Sequence, residues 1–242
     1  MSWSTPWFDS RYYELLYGHR DERDAALWVE AILARWRLPA GSRVLDMACG
    51  RGRHARCLVM AGMRVTGIDL SPASIIAARE RVPEAEFHVH DMREPIPGAE
   101  FDAAICLFTS IGYTAAPEDD LRVLRSAHTM LARGGHFVLD FMNTPRVLGN
   151  VMPDEDRLIA GVRFHTERRQ ENGTLVKSIT VDDDGRMHRF EERVRLLRPS
   201  QLECLAEEAG LVVVDRTDGP RLDPFDPLRS DRFVLWTTKE TA

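Results

Sequence analysis

The 242-residue chain contains no apolar run approaching the roughly 18 residues of a membrane-spanning helix. Its start, MSWSTPWFDSRYYELL, lacks the basic-then-apolar order of a secretory leader, so a cytoplasmic protein without a membrane partner is expected. Cysteine is scarce and scattered: Cys49, Cys57, Cys106 and Cys204 form no CxxC pair, which argues against a disulfide framework and against a zinc site. Lysine is scarcer still. Only Lys177 and Lys239 stand among the 32 basic residues, which leaves few candidates for a Schiff-base or phosphate-gripping lysine. No long basic run occurs and the net charge is −6, so the electrostatic footprint of a nucleic-acid binder is missing.

What is present is an ordinary globular composition, 44% hydrophobic and 29% charged, in a length that suits one large α/β domain with or without an insertion. Residues 8–36 read as two helices with a break near Gly18, closed by Pro39 and Gly41. Strand and helix then alternate: strand 43–46, helix 53–61, strand 64–68, helix 72–81, strands 86–89 and 101–107, helix 118–131, strand 136–141. That alternation predicts a parallel sheet covered on both faces, with ligands bound beyond the carboxyl ends of its strands. After Asn143 three antiparallel strands are predicted, 158–166, 174–181 and 187–197, separated by the turn signals Glu171-Asn-Gly173 and Asp182-Asp-Asp-Gly185. A helix over 200–209, stopped by Gly210, leads to two last strands, 211–215 and 233–237.

The expected fold class is therefore α/β: a Rossmann-like, doubly wound, seven-stranded, mostly parallel sheet with an antiparallel three-stranded insertion after the fifth strand. Residues 1–40 are expected to cap the ligand site, 41–142 and 199–242 to form the core, and 143–198 to serve as substrate cover or homodimer interface.

The densest signal is Val44-Leu-Asp-Met-Ala-Cys-Gly-Arg-Gly-Arg-His54, where a carboxylate ends a strand and two glycines let the backbone approach a ligand closely. Gly50, Gly52 and Ala55 also satisfy the dinucleotide fingerprint, so a nicotinamide or flavin enzyme is a rival. Charge separates the two. A pyrophosphate wants helix-terminal amides and no nearby anion, whereas Asp46 suits the ammonium and sulfonium of S-adenosylmethionine, whose single carboxylate the loop amides can receive. Asp69, in Gly67-Ile-Asp-Leu-Ser71, ends the next strand and can accept from both ribose hydroxyls. Asp91, in His90-Asp-Met92, ends the following one and can accept from an adenine amino group while Met92 packs on the ring.

In their order VLDMACGRG, GIDLS, HDM and FDAAICLFTSIGY, these motifs resemble class I S-adenosylmethionine-dependent methyltransferases over roughly residues 43–140. The resemblance implies that Asp46, Ala48, Gly50 and Gly52 hold the methionine end, Asp69 the ribose, and Asp91 with Met92 the adenine. Tyr12, Arg20, Leu70 and Leu107 complete the cofactor set. Glu14-Leu-Leu-Tyr17, Leu107-Phe-Thr-Ser-Ile-Gly-Tyr113 and the antiparallel insertion are similar, more narrowly, to small-molecule N-methyltransferases that include aminosugar N,N-dimethyltransferases. Many members have glycine where this chain has Ala48, and the aminosugar enzymes have histidine where it has Tyr113.

The implied activity is methyl transfer to a small-molecule acceptor, amine nitrogen favoured over hydroxyl oxygen; RNA or protein acceptors and a non-catalytic cofactor-binding role are the alternatives. The Asp/Asn-Pro-Pro-aromatic tetrad typical of enzymes acting on base nitrogens or glutamine amides is replaced here by Leu-Phe-Thr-Ser. Tyr17 and Tyr113 are the candidates for orienting the acceptor, Arg20 for pairing with the cofactor carboxylate, and His19 and His165 for bases reaching the mouth. His88 and His90 share a strand face without a third ligand at recognisable spacing, so no metal is expected.

Overall fold

Apolar residues three and four apart drive the helices. Ala25, Trp28, Val29 and Ile32 form the buried stripe of α3 (Glu22–Trp36), which follows two short helices, α1 (Thr5–Phe8) and α2 (Arg11–Leu16). Two helices were expected in this stretch; the additional one, α1, is a single turn too short to leave a period in the sequence. The computed structural model describes residues 5–18, 22–114, 116–150 and 154–241.

Five strands run parallel: β1 (Arg43–Met47), β2 (Arg64–Asp69), β3 (Glu86–Val89), β4 (Phe101–Cys106) and β5 (Leu131–Met142). The helices α4 (Arg53–Met60), α5 (Pro72–Arg81) and α6 (Glu118–Met130) connect them. Each start has a local cause. α5 opens on Ser71, whose side chain accepts from Ser74 N–H, with Pro72 in the first turn; α6 carries Glu118, Asp119 and Asp120 against its positive end.

α7 (Thr144–Gly149) leads into the insert: β6 (Asp154–Ile159), β7 (Val162–Glu171), β8 (Thr174–Asp183) and β9 (Arg186–Arg195), a four-stranded antiparallel sheet. Three strands were expected. The segment read as one strand, 158–166, is a hairpin turning at Ala160 and Gly161, whose φ angles are 50° and 83°. Its first arm, Asp-Glu-Asp-Arg-Leu-Ile, is an exposed edge strand whose charges hide the alternation.

The chain returns through α8 (Pro199–Glu208) to β10 (Leu211–Asp218), a two-residue β11 (Asp223–Pro224) and β12 (Arg232–Lys239). The main sheet has the order β11-β10-β12-β5-β4-β1-β2-β3, with β12 antiparallel to β5 and β10 antiparallel to β12. The strand beyond the expected seven is β11, a short bridge inside the long loop before β12. Leu45, Met47, Phe137 and Leu139 pack toward α6 and α8 on one face; Val44, Val65, Ile105 and Trp236 pack toward α3, α4 and α5 on the other. A third cluster joins Trp7, Tyr12 and Leu16 to the inner face of the insert at Val162, Phe164, Ile179 and Val181. No described helix is long and apolar enough to cross a membrane.

Strand order reverses between β1 and β4. The crevice beyond their carboxyl ends is where a doubly wound sheet receives its ligand.

Candidate active site

Asp46 is the last residue but one of β1, which hands the chain to a loop in which Ala48, Gly50 and Gly52 have φ of 56°, 54° and 75°. A Cβ at position 52 would lie 3.2 Å from the Phe87 ring and 3.3 Å from Ala78, so glycine lets α4 start tight against β3 and α5. At Gly50 a Cβ would meet nothing within 4 Å, so that side of the loop faces open space. Ala48 takes the left-handed conformation without glycine's freedom, at a cost on the order of 1 kcal/mol.

Asp46 is almost wholly buried, and its Oδ2 has no hydrogen-bond partner. Burial first, and the neighbouring Asp69 second, push its carboxyl up to about 7, against the opposing pull of Arg53 and the Ala55 N–H. A buried, half-satisfied carboxylate is costly, and a positively charged ligand is what relieves it. Asp69, at the end of β2, accepts from Gly50 N–H and from Ser71 N–H, both at 2.9 Å, and so ties the loop to the next strand. Burial raises its carboxyl, and these two N–H groups oppose the rise. Each of its oxygens keeps a further lone pair for a ligand hydroxyl. Leu70 beside it and Val89 at the end of β3 are large apolar residues left more than half exposed, a surface a flat ring would cover.

Asp91 is more committed than the sequence suggested. Arg93 donates to both of its oxygens and also bonds Asp119, 2.7 Å away at the start of α6, and this holds the Asp91 carboxyl below its usual range. Met92 is partly buried against the core cluster next to it. Leu107 is in the core among α3 and α4 residues, so only its backbone is available to a ligand.

The N-terminal helices close over this crevice. Ser71 Oγ donates to Asp9, and Arg51 of the glycine loop pairs with Glu14 at 2.5 Å. Tyr12 lies elsewhere than expected: its hydroxyl bonds Asp183 at 2.8 Å and its ring packs on Phe164 and His188 of the insert. Beside the insert, the rings of Tyr17 and Tyr13 lie 4.9 Å apart, Tyr13 and Phe8 5.1 Å, and Phe8 and Tyr113 5.5 Å. The two tyrosines singled out from the sequence thus stand at opposite ends of one aromatic wall. Arg20 and His19 fall outside the described residues. His165 does not reach the mouth: it alternates with the inward Phe164 and Thr166, faces outward, and pairs with Asp156 at 2.9 Å, which raises its pKa. Together with Asp154 and Glu167 it forms the single metal-compatible grouping among the described residues, on that same outer face.

Two groups escaped the sequence reading. At the end of β5, Asp140 is fully buried, accepts from Phe108 N–H at 2.7 Å and is gripped by Arg232 through both oxygens. Phe108 and Thr109 both have φ of 60°, and Arg232 also bonds the Thr109 hydroxyl. The strained turn carries the Phe108 ring, which stacks on His54 and lies under Arg53, joining the loop after β4 to the glycine loop. His54 is buried with its Nε2 unbonded, and burial pushes it down to about 3, so it is neutral at physiological pH. A carboxylate at a strand end was the very pattern used for Asp46, Asp69 and Asp91, and it was the available signal for Asp140. For the second group, Lys177 and Glu192 on the insert, the alternation Phe190, Glu192, Val194 puts Glu192 on the covered face, but no sequence signal pairs it with Lys177.

The family model for a methyltransferase domain matches residues 44–135. The dTDP-3-amino-3,4,6-trideoxy-alpha-D-glucopyranose N,N-dimethyltransferase of Streptomyces venezuelae is 30% identical over 218 residues, covering 86% of this chain and 92% of the relative. The dTDP-3-amino-3,6-dideoxy-alpha-D-glucopyranose N,N-dimethyltransferase of Streptomyces fradiae is 37% identical over 117 residues, 48% of this chain and 44% of that protein. Among solved structures, DesVI of Streptomyces venezuelae superposes with a TM-score of 0.73 at 26% identity, covering 94% of this chain and 96% of that one. An S-adenosylmethionine-dependent methyltransferase of Clostridium acetobutylicum gives 0.81 at 18% identity, covering 95% and 96%.

Proposed function

The chain belongs to the family of class I S-adenosylmethionine-dependent methyltransferases, and from that membership we propose that it methylates an amine nitrogen on a small, sugar-like acceptor. The observation that carries the reading is the likeness to an aminosugar N,N-dimethyltransferase over 92% of that relative's length. Acceptor-side elements are thereby included along with the glycine loop. The aromatic wall from Tyr17 to Tyr113 is consistent with an acceptor of modest size.

When bound, S-adenosylmethionine supplies an electrophilic methyl group on a positively charged sulfur. In this reading Asp46 faces the positive charge, and the loop of Ala48, Gly50 and Gly52 offers amides to the carboxylate, with Arg20 as the side-chain partner. Asp69 takes the ribose, Leu70 and Met92 flank the adenine, and Leu107 borders the site through its backbone. Asp91 acts chiefly by anchoring Arg93, with capacity left for the adenine amino group. Tyr17 and Tyr113 orient the acceptor; placing its nitrogen about 3 Å from the methyl carbon supplies much of the rate. Residues 1–40 cap the cofactor, 41–142 and 199–242 form the catalytic core, and 143–198 cover the acceptor or pair two copies.

Incubation with deuteromethyl cofactor and a panel of amino and hydroxy sugar nucleotides, read by mass spectrometry, tests this. The expected result is a gain of one or two labelled methyl groups on nitrogen. Label found only on oxygen, or only on protein or RNA, refutes it.

A further inference from the structure

The inner face of the insert packs Phe164, Ile179, Val181 and Phe190 against the N-terminal helices, with His188 and the Asp183–Arg186 row toward one end of the strands and a row of Arg168, Lys177 and Glu192 toward the other. Lys177 on β8 and Glu192 on β9 face one another in register, both largely buried, with Nζ 3.7 Å from Oε2. Glu192 accepts from the Trp7 indole at 2.9 Å and from the Tyr17 hydroxyl at 2.8 Å; Lys177 donates to the same Tyr17 oxygen at 2.5 Å, with its Nζ 4.6 Å from that ring. Three residues further on, β9 reaches the loop of Tyr113, where Arg195 N–H bonds Gly112 O at 2.9 Å. The other charged groups on this face are Arg168, opposite Lys177 and paired with Glu155, and Asp183 with Arg11 at the far end of the strands. Asp120 and Arg195 pair with each other beside the Gly112 loop.

A buried ion pair is an expensive way to fasten a helix to a sheet. Trp7, Tyr12, Leu16 and Phe164 already supply apolar docking here, and Asp183 already ties down Tyr12 and Arg11. Lysine is also the rare choice in this chain, one of two among 32 basic residues. Unlike arginine, it is a compact charge that carries its proton on a single atom. Tyr17 links this cluster to the aromatic wall, and its oxygen receives from Lys177 while its proton points at Glu192.

We propose that Tyr17, Glu192 and Lys177 form a proton relay that readies an amine acceptor for methylation. The inference rests on the reading of the acceptor as an amine. An acceptor that arrives as an ammonium has no lone pair. Its N–H bond breaks, the proton goes to Tyr17 Oη, and the Tyr17 proton moves to Glu192 Oε2, leaving a neutral amine, an intact phenol and a neutral carboxylic acid. Lys177 keeps its charge throughout and holds the phenol oxygen in place. The positive charge thus leaves the acceptor, which would otherwise repel the sulfonium, and is absorbed by the Lys177–Glu192 pair. Tyr17 touches the acceptor; Glu192 and Lys177 act through it as positioning residues. Once Glu192 has released its proton to solvent water, the same relay takes the proton from the methylated ammonium, which a second transfer requires.

The test compares the wild-type enzyme with Glu192→Gln, Lys177→Met and Tyr17→Phe, using sugar nucleotides that carry a primary amine, beginning with that of the Streptomyces venezuelae relative. The expected loss in kcat/KM is ~100-fold at pH 7, the lower range for general-base catalysis. It should shrink steadily as pH rises toward the pKa of the amine, while calorimetric affinity for S-adenosylmethionine stays within ~3-fold of wild type. A loss of the same size at every pH, or no loss, overturns the relay and leaves the amine reading intact. A wild-type enzyme that methylates none of the amines overturns the reading and the relay with it. If Glu192→Gln fails to fold, Tyr17→Phe, which removes the shuttling proton and keeps the ring, carries the same pH criterion.

Discussion

Cofactor affinity should depend on pH through Asp46, and the size of the effect follows from its burial. With the carboxyl at about 7 in the free protein, roughly nine-tenths is ionised at pH 8 and about a hundredth at pH 5. A cationic ligand selects the ionised form. Affinity for S-adenosylmethionine should therefore fall ~100-fold from pH 8 to pH 5, about 3 kcal/mol, with one proton released per ligand bound below pH 6. The ligand's α-amino group has a pKa near ~8, so it is about half protonated at pH 8 and almost fully protonated below pH 7, which trims the upper end of the profile by no more than ~2-fold. Burial raises Asp69 as well, against the pull of its N–H partners, and its protonation adds to the loss of affinity as pH falls. Titration calorimetry at half-unit pH steps reads the effect.

In Asp46→Asn the profile should lose most of its slope and affinity at pH 8 should be reduced. The apoprotein should respond in the opposite sense. The folded pKa of Asp46 lies above its model-compound value of 3.8, so the stability linked to its proton is complete below that value and is lost as pH rises through about 7. An amide at this position has no such loss, and the Asp46→Asn variant should be more stable than wild type at pH 8 by up to roughly 4 kcal/mol in denaturant unfolding. A wild-type affinity that is flat from pH 5 to 8, or an Asp46→Asn variant that keeps the wild-type profile, refutes the reasoning.

Arg232→Met leaves the fully buried Asp140 charge unpaired and should destabilise by about 3–5 kcal/mol, most of it recovered in the double variant with Asp140→Asn, as measured by urea unfolding. Glu14→Gln removes a half-exposed pair with the glycine loop; stopped-flow fluorescence should show cofactor release no more than ~5-fold faster, in line with the ~1 kcal/mol ceiling for such pairs. His165→Ala, on the outer face of the insert, should leave methyl transfer within ~2-fold of wild type at every pH, and a larger fall would place that face in contact with the acceptor.

The parallel core could be read from the sequence because β1, β4 and β5 are largely buried apolar runs, and an acid near the carboxyl end of such a strand, beside the ligand crevice, is conspicuous. Asp46 and Asp69 stood out for that reason, and Asp140 obeys the same rule. β6 was hidden because an edge strand has only one neighbour to satisfy and tolerates charge on both faces. The pairing of Lys177 with Glu192 was hidden for a different reason. Alternation with Phe190 and Val194 places Glu192 on the covered face, but which residue of β8 it meets depends on register, and its bonds to Trp7 and Tyr17 depend on the helices above it. The bond from the Tyr12 hydroxyl to Asp183 was equally hidden, because it spans 171 residues and depends on how the helix docks on the insert.

α1 and α2 hold the glycine-loop side with Asp9 and Glu14 and the insert with Trp7, Tyr12 and Tyr17. A bracket gripping both substrates' walls makes the two binding events thermodynamically linked. Whatever factor the cofactor adds to the acceptor's affinity by steadying these helices, the acceptor must return to the cofactor, and the demethylated product is held less tightly once the acceptor has gone.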